Sequence, residues 1–407
     1  MGAKNKTIRC LTVDAAAQKT TLHEISREDT VDRFGSLGVH FTLWHSIWQH
    51  ALDDANNVPV VGISTGPLTG SGAPASGVFS MIWADPHTQK IVIRRSEGML
   101  GSMLRYAGVD HLLIYGRAVE ALYLHITDGI VSFISAEKHR ESDNAATYEW
   151  IIRHSDERDR VVVSAGPFLY AQSEAATLLE NKAFEIGGFG SGAIFEQMNL
   201  KALSVAGRGR VKLADAQEFL NLCIKLYAAF PQKTGYSASK YLPEIGYYLS
   251  PWKSKRVAIT PAGGKVLLSD KEWKNIEDSP EKESLLRIKE LCMLNGLYWQ
   301  AEEIDGQVLS AASRQNEGEL LSVINKKAQL DSNLLENADL DAIIFALLGL
   351  GWADGVPYVE PVDDAARLLS KAIGEPWNSI QLTESARRVV RINGELHRGE
   401  GRKNGQK

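Results

Sequence analysis

An α+β fold is predicted, with a β-rich N-terminal domain of internally duplicated sheets and a reduced α-helical region behind it. Three observations predict it. Residues 7–208 are dense in β-branched runs separated by glycine, the signature of strands and tight connections. Two segments echo each other within that stretch, Ser64-Thr65-Gly66-Pro67 and Ser164-Ala165-Gly166-Pro167, each following a β-branched run and preceding small residues. After Gly209 the texture changes to apolar residues at helical spacing.

The elements follow in order. TIRCLTVDAA (7–16) opens the strands, and a helix is expected over 41–53. Val60 to Met81 reads as strand, glycine loop, strand, with Gly62, Gly66, Gly70, Gly72 and Gly77 and two prolines. Such a loop supplies tight turns, and without side chains its backbone N–H groups can also approach a polar ligand closely. A helix at 99–107 precedes the strands HLLIYGRAV, ALYLHITDG and VSFISA; helices at 145–154 and 171–183 flank the strand RVVVSAGPF. Beyond 209, Phe219, Leu220, Cys223, Leu226 and Tyr227 form one stripe of a helix over 216–230. Prolines 231, 243, 251 and 261 break the next stretch, 276–330 is charged and helical, and 340–350 has the composition of a buried helix. Residues 362–374 and 382–396 read as two amphipathic helices, and 399–407 as a frayed tail. The domain division is 1–208, 209–398 and the tail.

Composition narrows the function classes. The net charge of −5 lacks the basic footprint of a nucleic-acid binder. No apolar run is long enough for a membrane span, and the first ten residues have no signal-peptide core. Cys10, Cys223 and Cys292 are scattered and odd in number, which fits a reducing cytoplasm and no disulfide framework. His40, His45 and His50 recur every five residues, so neighbours on a helix point about 140° apart, and a shared metal face is not expected.

Three stretches, GPLTGSGAPASGVFS (66–80), RRSEGMLGSMLRYAGVDHLLIYGRA (94–118) and GGFGSGAIFEQMNLKAL (187–203), together resemble the tungsten-dependent aldehyde ferredoxin oxidoreductases, in that family's order and at about its spacing. HRGEGRK (397–403) is similar to the family's closing Arg-Glu-Gly-x-x-Arg-Lys run, altered at its first two positions. The resemblance implies a glycine-rich domain that cups a tungsten or molybdenum ion held by two pyranopterins. It also implies helical domains carrying a [4Fe–4S] cluster and the acid–base residues, and oxidation of aldehydes with electrons passing to ferredoxin.

The sequence departs from that pattern at each of these parts. For the family's C-x-x-C-x-x-x-C, the best-placed match offers Cys292, Asn295 and Trp299, and Ala346 stands in the late-cysteine helix. A [4Fe–4S] cluster takes about four thiolates, and the chain has 3 cysteines. The family's pterin-clamping arginines match Val78 and Gly188, and a family Asn-Ser-Gly-Gly becomes Arg95-Ser96-Glu97-Gly98. No histidine lies between His154 and His397, so the family's catalytic residues have no counterpart.

Three functions therefore stand open. In the first, the former pterin cleft is a cofactor-free site for a small carbonyl or carboxylate compound. Glu97 and Arg95 would be catalytic there, and Ser76, Gly77, Arg94, Ser96, Gly190 and Ser191 would bind the substrate; no metal is expected. Arginine suits a carboxylate or phosphate, and a partly buried glutamate suits a general base. In the second, the chain is a non-catalytic partner, pairing with itself as a homodimer or with a complete family member. In the third, it retains a tungsten or molybdenum pterin and uses a separate iron–sulfur subunit. The trio Arg94, Arg95 and Glu97 also reads simply as a salt-bridged loop.

Overall fold

The computed structural model describes residues 7–26, 35, 37–40, 58–85, 91–155, 159–171, 175–188, 190–234, 255–260, 265–297, 340–350, 352–353, 356–357 and 362–403. The expected helix at 41–53 and residues 298–339, which include the latter part of the expected charged helical stretch 276–330, lie outside them.

Two six-stranded sheets make up the N-terminal half. The first contains β1 (Thr7–Asp14), β2 (Lys19–Ser26), β3 (Val60–Thr65), β4 (Val78–Ala84), β5 (Ile91–Glu97) and β6 (His111–Tyr115), in spatial order β2-β1-β6-β3-β4-β5. The second contains β7 (Leu122–Thr127), β8 (Ile130–Ser135), β9 (Arg160–Ala165), β10 (Leu178–Glu180), β11 (Phe184–Ile186) and β12 (Leu200–Ala206). Read from its other edge, its order is β8-β7-β12-β9-β10-β11. Every pairing then matches the first sheet in direction. An antiparallel hairpin (β1β2, β7β8) joins a parallel neighbour (β6, β12), followed by three antiparallel steps. Helix α1 (Leu100–Tyr106) leads into β6 as α4 (Ser191–Gln197) leads into β12. The duplication is thus present in topology, well beyond the four-residue echo.

A shared core lies between the sheets, built from inward residues such as Phe79, Met81, Trp83, Leu112, Val163, Ile186 and Leu203. Each sheet packs helices on its outer face. The first carries α5 (Ala216–Thr234), α8 (Leu340–Leu348), α9 (Val362–Ile373) and α10 (Ser379–Lys403) over Ile82, Ile91, Ile93 and Leu113. The second carries α6 (Asp270–Glu277) and α7 (Lys282–Asn295) over Leu179. Helix α2 (Asn144–Arg153) starts at an Asp143 N-cap whose carboxylate accepts from Ala146 N at 2.7 Å.

Three expectations are revised. Residues 171–183 are not one helix: a single turn, α3 (Phe168–Ala171), precedes the β10–β11 hairpin. Asn181 and Lys182 both have positive φ, 48° and 56°, and turn the chain back, while strand alternation sends the consecutive Leu178 and Leu179 into two different cores. The proline-broken stretch holds another hairpin, β13 (Lys255–Ile259) with β14 (Lys265–Ser269), whose Ala258, Val266 and Leu268 pack with α6 and α7. The expected tail is shorter, since α10 runs to Lys403. A minor hairpin pairs β15 (Trp352–Ala353) with β16 (Val356–Pro357).

The two echoing segments do the same job. Helices α7 and α8 end alike, with a left-handed glycine (Gly296, φ +64°; Gly349, φ +81°) followed by leucine. Leu297 N donates to Cys292 O at 2.8 Å, and Leu350 N to Phe345 O at 2.9 Å, the longer closing bond of a Schellman turn. Gly166 lies against the α7 end at Asn295, and Gly66 against the α8 end at Leu348–Gly349, so close that a Cβ at either glycine would overlap backbone.

Candidate functional site

The glycine loop between β3 and β4 spends its polar backbone on itself. Gly66 N donates to Thr69 Oγ1 (2.9 Å), Leu68 N to Leu348 O (2.9 Å), Gly70 N to Ser76 O (2.7 Å) and Ser76 N to Ala73 O (3.2 Å). Thr69 Oγ1 in turn donates to Val78 O at 2.7 Å. Helix α1 pins the loop from beneath: Arg105 Nη1 donates to Gly66 O at 2.7 Å, and Tyr106 Oη to Gly70 O at 3.1 Å. Arg105 is itself paired with Asp110 at 2.9 Å. The glycines therefore serve the turns and the close approach of α8, and the loop offers few N–H groups to an anion.

Strand register splits the expected site residues between two faces. On β5, Arg95 and Glu97 point to the outer, helix-covered face with Ile91 and Ile93, whereas Arg94 and Ser96 point to the inter-sheet side with Val92. Arg95 and Glu97 form an ion pair at 2.6 Å, with side chains 19% and 26% exposed. This pair sits on a strand, not in a salt-bridged loop. Burial lowers the Arg95 pKa, against the opposing pull of Glu97. Ser96 Oγ accepts from Gly187 N at 2.9 Å, tying the two sheets together. Ser191 spends its hydroxyl on Ile186 O (2.9 Å) and Gly188 O (2.8 Å) while accepting from Leu178 N (3.1 Å). Gly190 is left-handed at φ +80°, and a Cβ there would lie 3.4 Å from Asp85 Oδ2. Gly77 O accepts from Gly98 N at 3.3 Å, and Ser76 Oγ is buried with no partner among the described residues. Arg95 and Glu97 are brought together; Ser96, Gly190 and Ser191 belong to the seam between the sheets.

Sequence reasoning missed a row of polar side chains on the outer face of the first sheet. Registers place His111 opposite Ser64, Ser64 opposite Ser80, and Ser80 opposite Arg95. Ser64 Oγ lies 2.5 Å from His111 Nδ1, and both residues are buried. His40 lies nearby, its ring tilted 54° to that of His111 with centroids 6.1 Å apart, in space left by the missing side chain of Gly62.

His40 is fully buried, and burial, with a smaller contribution from His111, holds its pKa well below the usual 6.5. The folded protein keeps it neutral while the unfolded chain takes up a proton as pH falls through 6.5. Stability should therefore decline below that pH, by up to about 1.4 kcal/mol per unit for this group. Urea midpoints at pH 7.5 and 5.5 should differ less in His40→Asn than in the wild type; equal differences would refute the assignment.

The iron–sulfur cluster implied by the sequence resemblance does not fit these residues. Cys10 and Cys223 lie in one core and Cys292 in another, and among the described residues no three His, Cys, Asp or Glu side chains converge to hold a metal. A dianionic pyranopterin also fits poorly. Most loop N–H groups are taken, Arg95 is neutralised by Glu97, and the Asp85 carboxylate borders Gly190.

Comparison with known proteins agrees with the sheets. Residues 10–207 match the family described as "Aldehyde ferredoxin oxidoreductase, N-terminal domain". A tungsten-containing aldehyde ferredoxin oxidoreductase of Pyrococcus horikoshii is 31% identical over 159 residues, 39% of this chain and 26% of that protein. Its Pyrococcus furiosus counterpart is 27% identical over 213 residues, 52% of this chain and 35% of that protein. The aliphatic sulfonate oxidoreductase WOR-like subunit of Pyrococcus furiosus is 27% identical over 218 residues, 49% of this chain and 34% of that protein. The matched stretch thus spans about a quarter to a third of these relatives' length. Among solved structures, the active site complex BamBC of benzoyl coenzyme A reductase superposes with a TM-score of 0.70 at 12% identity, over 95% of this chain and 88% of that one, a likeness of fold alone. Among the described residues no helix is long and apolar enough to cross a membrane. The duplicated sheets, the glycine loop and the matched residues 10–207 carry one conclusion: through its N-terminal half, the chain belongs to the aldehyde ferredoxin oxidoreductase family.

Proposed function

We propose that this chain uses the oxidoreductase scaffold as a cofactor-free site for a small carbonyl or carboxylate compound, with Arg95 and Glu97 as its reacting pair. The observation that carries the reading is their 2.6 Å ion pair at the edge of the first sheet, neither fully buried nor free in solvent. A ligand carboxylate matches the planar guanidinium fork and competes with Glu97 for it. Glu97, released from its partner in a half-buried setting, becomes a stronger base, suited to removing a proton next to the ligand's carbonyl. The scattered buried thiols support the same reading, because they leave redox chemistry through an iron–sulfur cluster without ligands.

Pyruvate carries both a carboxylate and acidic methyl protons, so it is a direct probe. Calorimetry should detect its binding, weakened at least tenfold in Arg95→Ala, which is about 1.4 kcal/mol. In D2O, exchange of its methyl protons should be accelerated by the protein and lost in Glu97→Gln. Absence of binding across small keto and aldehyde acids, or about one tungsten or molybdenum per chain by mass spectrometry, would overturn the proposal.

A second reading, a non-catalytic partner of another copy or of a complete family member, draws on an apolar stripe of α5. Leu220, Ile224 and Tyr227 recur at helical spacing and are exposed by 51%, 66% and 39%.

A further inference from the structure

The outer-face row of the first sheet has an internal control in the duplicate. Following the matched pairings, Cys10, His111, Ser64, Ser80 and Arg95 occupy successive strands of the first sheet. Their counterparts in the second are Tyr123, Ala202, Ser164, Leu179 and Glu185. The fold is therefore satisfied with alanine where His111 stands and leucine where Ser80 stands. Each buried polar side chain needs a partner to offset desolvation, so at the His111 and Ser80 positions the first sheet carries a burden its twin avoids. Room has also been made for a second imidazole, since a side chain at Gly62 would overlap His40. One end of the row is buried at His111, and the other reaches the partly exposed Arg95–Glu97 pair.

We propose that Ser80, Ser64 and His111 form a proton relay serving Glu97, in which the two hydroxyls carry a proton between the Arg95–Glu97 site and the His111 imidazole. The inference rests on the site reading given above. Ser80–Ser64 and Ser64–His111 are directly opposed antiparallel pairs, with Cβ atoms about 5 Å apart, whereas Glu97 stands opposite Val78 and is the diagonal neighbour of Ser80 on the same face, within reach of its longer side chain. A proton taken by Glu97 from a ligand passes to Ser80 Oγ, whose own proton passes to Ser64 Oγ, and the Ser64 proton passes to His111 Nδ1. Glu97 is left as the carboxylate, both serines are regenerated, and His111 holds the charge as imidazolium. The return runs the same steps backwards, with no oxidant, reductant or co-reactant. Ser80, Ser64 and His111 are positioning residues, because none of them touches the ligand.

The test needs no ligand. Solvent exchange of the His111 ring proton, measured by 15N-edited exchange spectroscopy on the full chain, should proceed in the wild type. It should slow at least tenfold in Ser80→Ala and recover in Ser80→Thr, which restores the hydroxyl. Packing is monitored by the Tm of each variant, and the leucine at the twin position indicates that an apolar residue is tolerated. A wild-type ring proton that does not exchange, an unchanged rate in Ser80→Ala, or equal slowing in Ser80→Thr would each overturn the relay. Pyruvate binding measured on the same variants reports separately on Arg95, so failure of the relay and failure of the site are told apart.

Discussion

Gly66→Ala and Gly166→Ala should each cost more than about 3 kcal/mol, among the largest effects of any single methyl addition to this chain. At Gly166 the new carbon would overlap the Asn295 carbonyl, and at Gly66 the Leu348–Gly349 peptide. Both obstacles are backbone, held by Schellman turns, and cannot swing aside as a side chain could. Gly72→Ala is the matched control: its added carbon meets nothing within 4 Å, and only its φ of +89° opposes the change. Its cost should be about 1 kcal/mol. Denaturant unfolding of the three variants would check the ranking, and equal effects would show that the α7 and α8 ends yield to the added carbon, so that helix docking does not set the need for glycine.

The second large effect is expected at Lys201. Its side chain is fully buried, and Nζ donates to Ser142 O at 2.7 Å, Ala165 O at 2.9 Å and Gly166 O at 2.6 Å. It thus holds the turn that receives α7. Lys201→Met keeps the length of the chain and orphans three carbonyls in the interior. Unsatisfied buried acceptors cost about 1–3 kcal/mol each, so a loss of about 3–5 kcal/mol is expected after relaxation. Lys182→Met is the contrast. Its 2.6 Å bridge to Glu149 has both side chains more than 40% exposed (42% and 45%), and it should change stability by less than about 1 kcal/mol. A small effect at Lys201 would mean that water replaces the ammonium at the turn.

The duplicated sheets, the glycine loop, α1, α2 and the buried helix at 340–350 were legible because strand composition, turn residues and helical spacing all agree in those stretches. The segment 171–183 was not. Its alanines, leucines and glutamates favour a helix locally, and only packing of Leu178 and Leu179 into separate cores makes it a hairpin. The β13–β14 hairpin hid behind its flanking prolines. Arg95 and Glu97 were recognisable as a charged pair in a family motif, but their separation from Arg94 and Ser96 depends on register, which sequence does not state. His111 and Ser64 are 47 residues apart along the chain, and Ser80 and Arg95 meet only through strand pairing. A cross-strand row has no signature in any single window of sequence.

The placement of the cysteines has a practical consequence. Cys10, Cys223 and Cys292 are all buried, and burial pushes the Cys223 and Cys292 thiols up to about 12. Thiolate, the species that alkylating reagents attack, is therefore scarce at neutral pH while the core stays closed. Cys223 reports on the core between the first sheet and α5, α8, α9 and α10, and Cys292 on the core beneath α7. The native chain carries its own pair of clocks, one in each half of the helical region, ready to time separately how often each half opens.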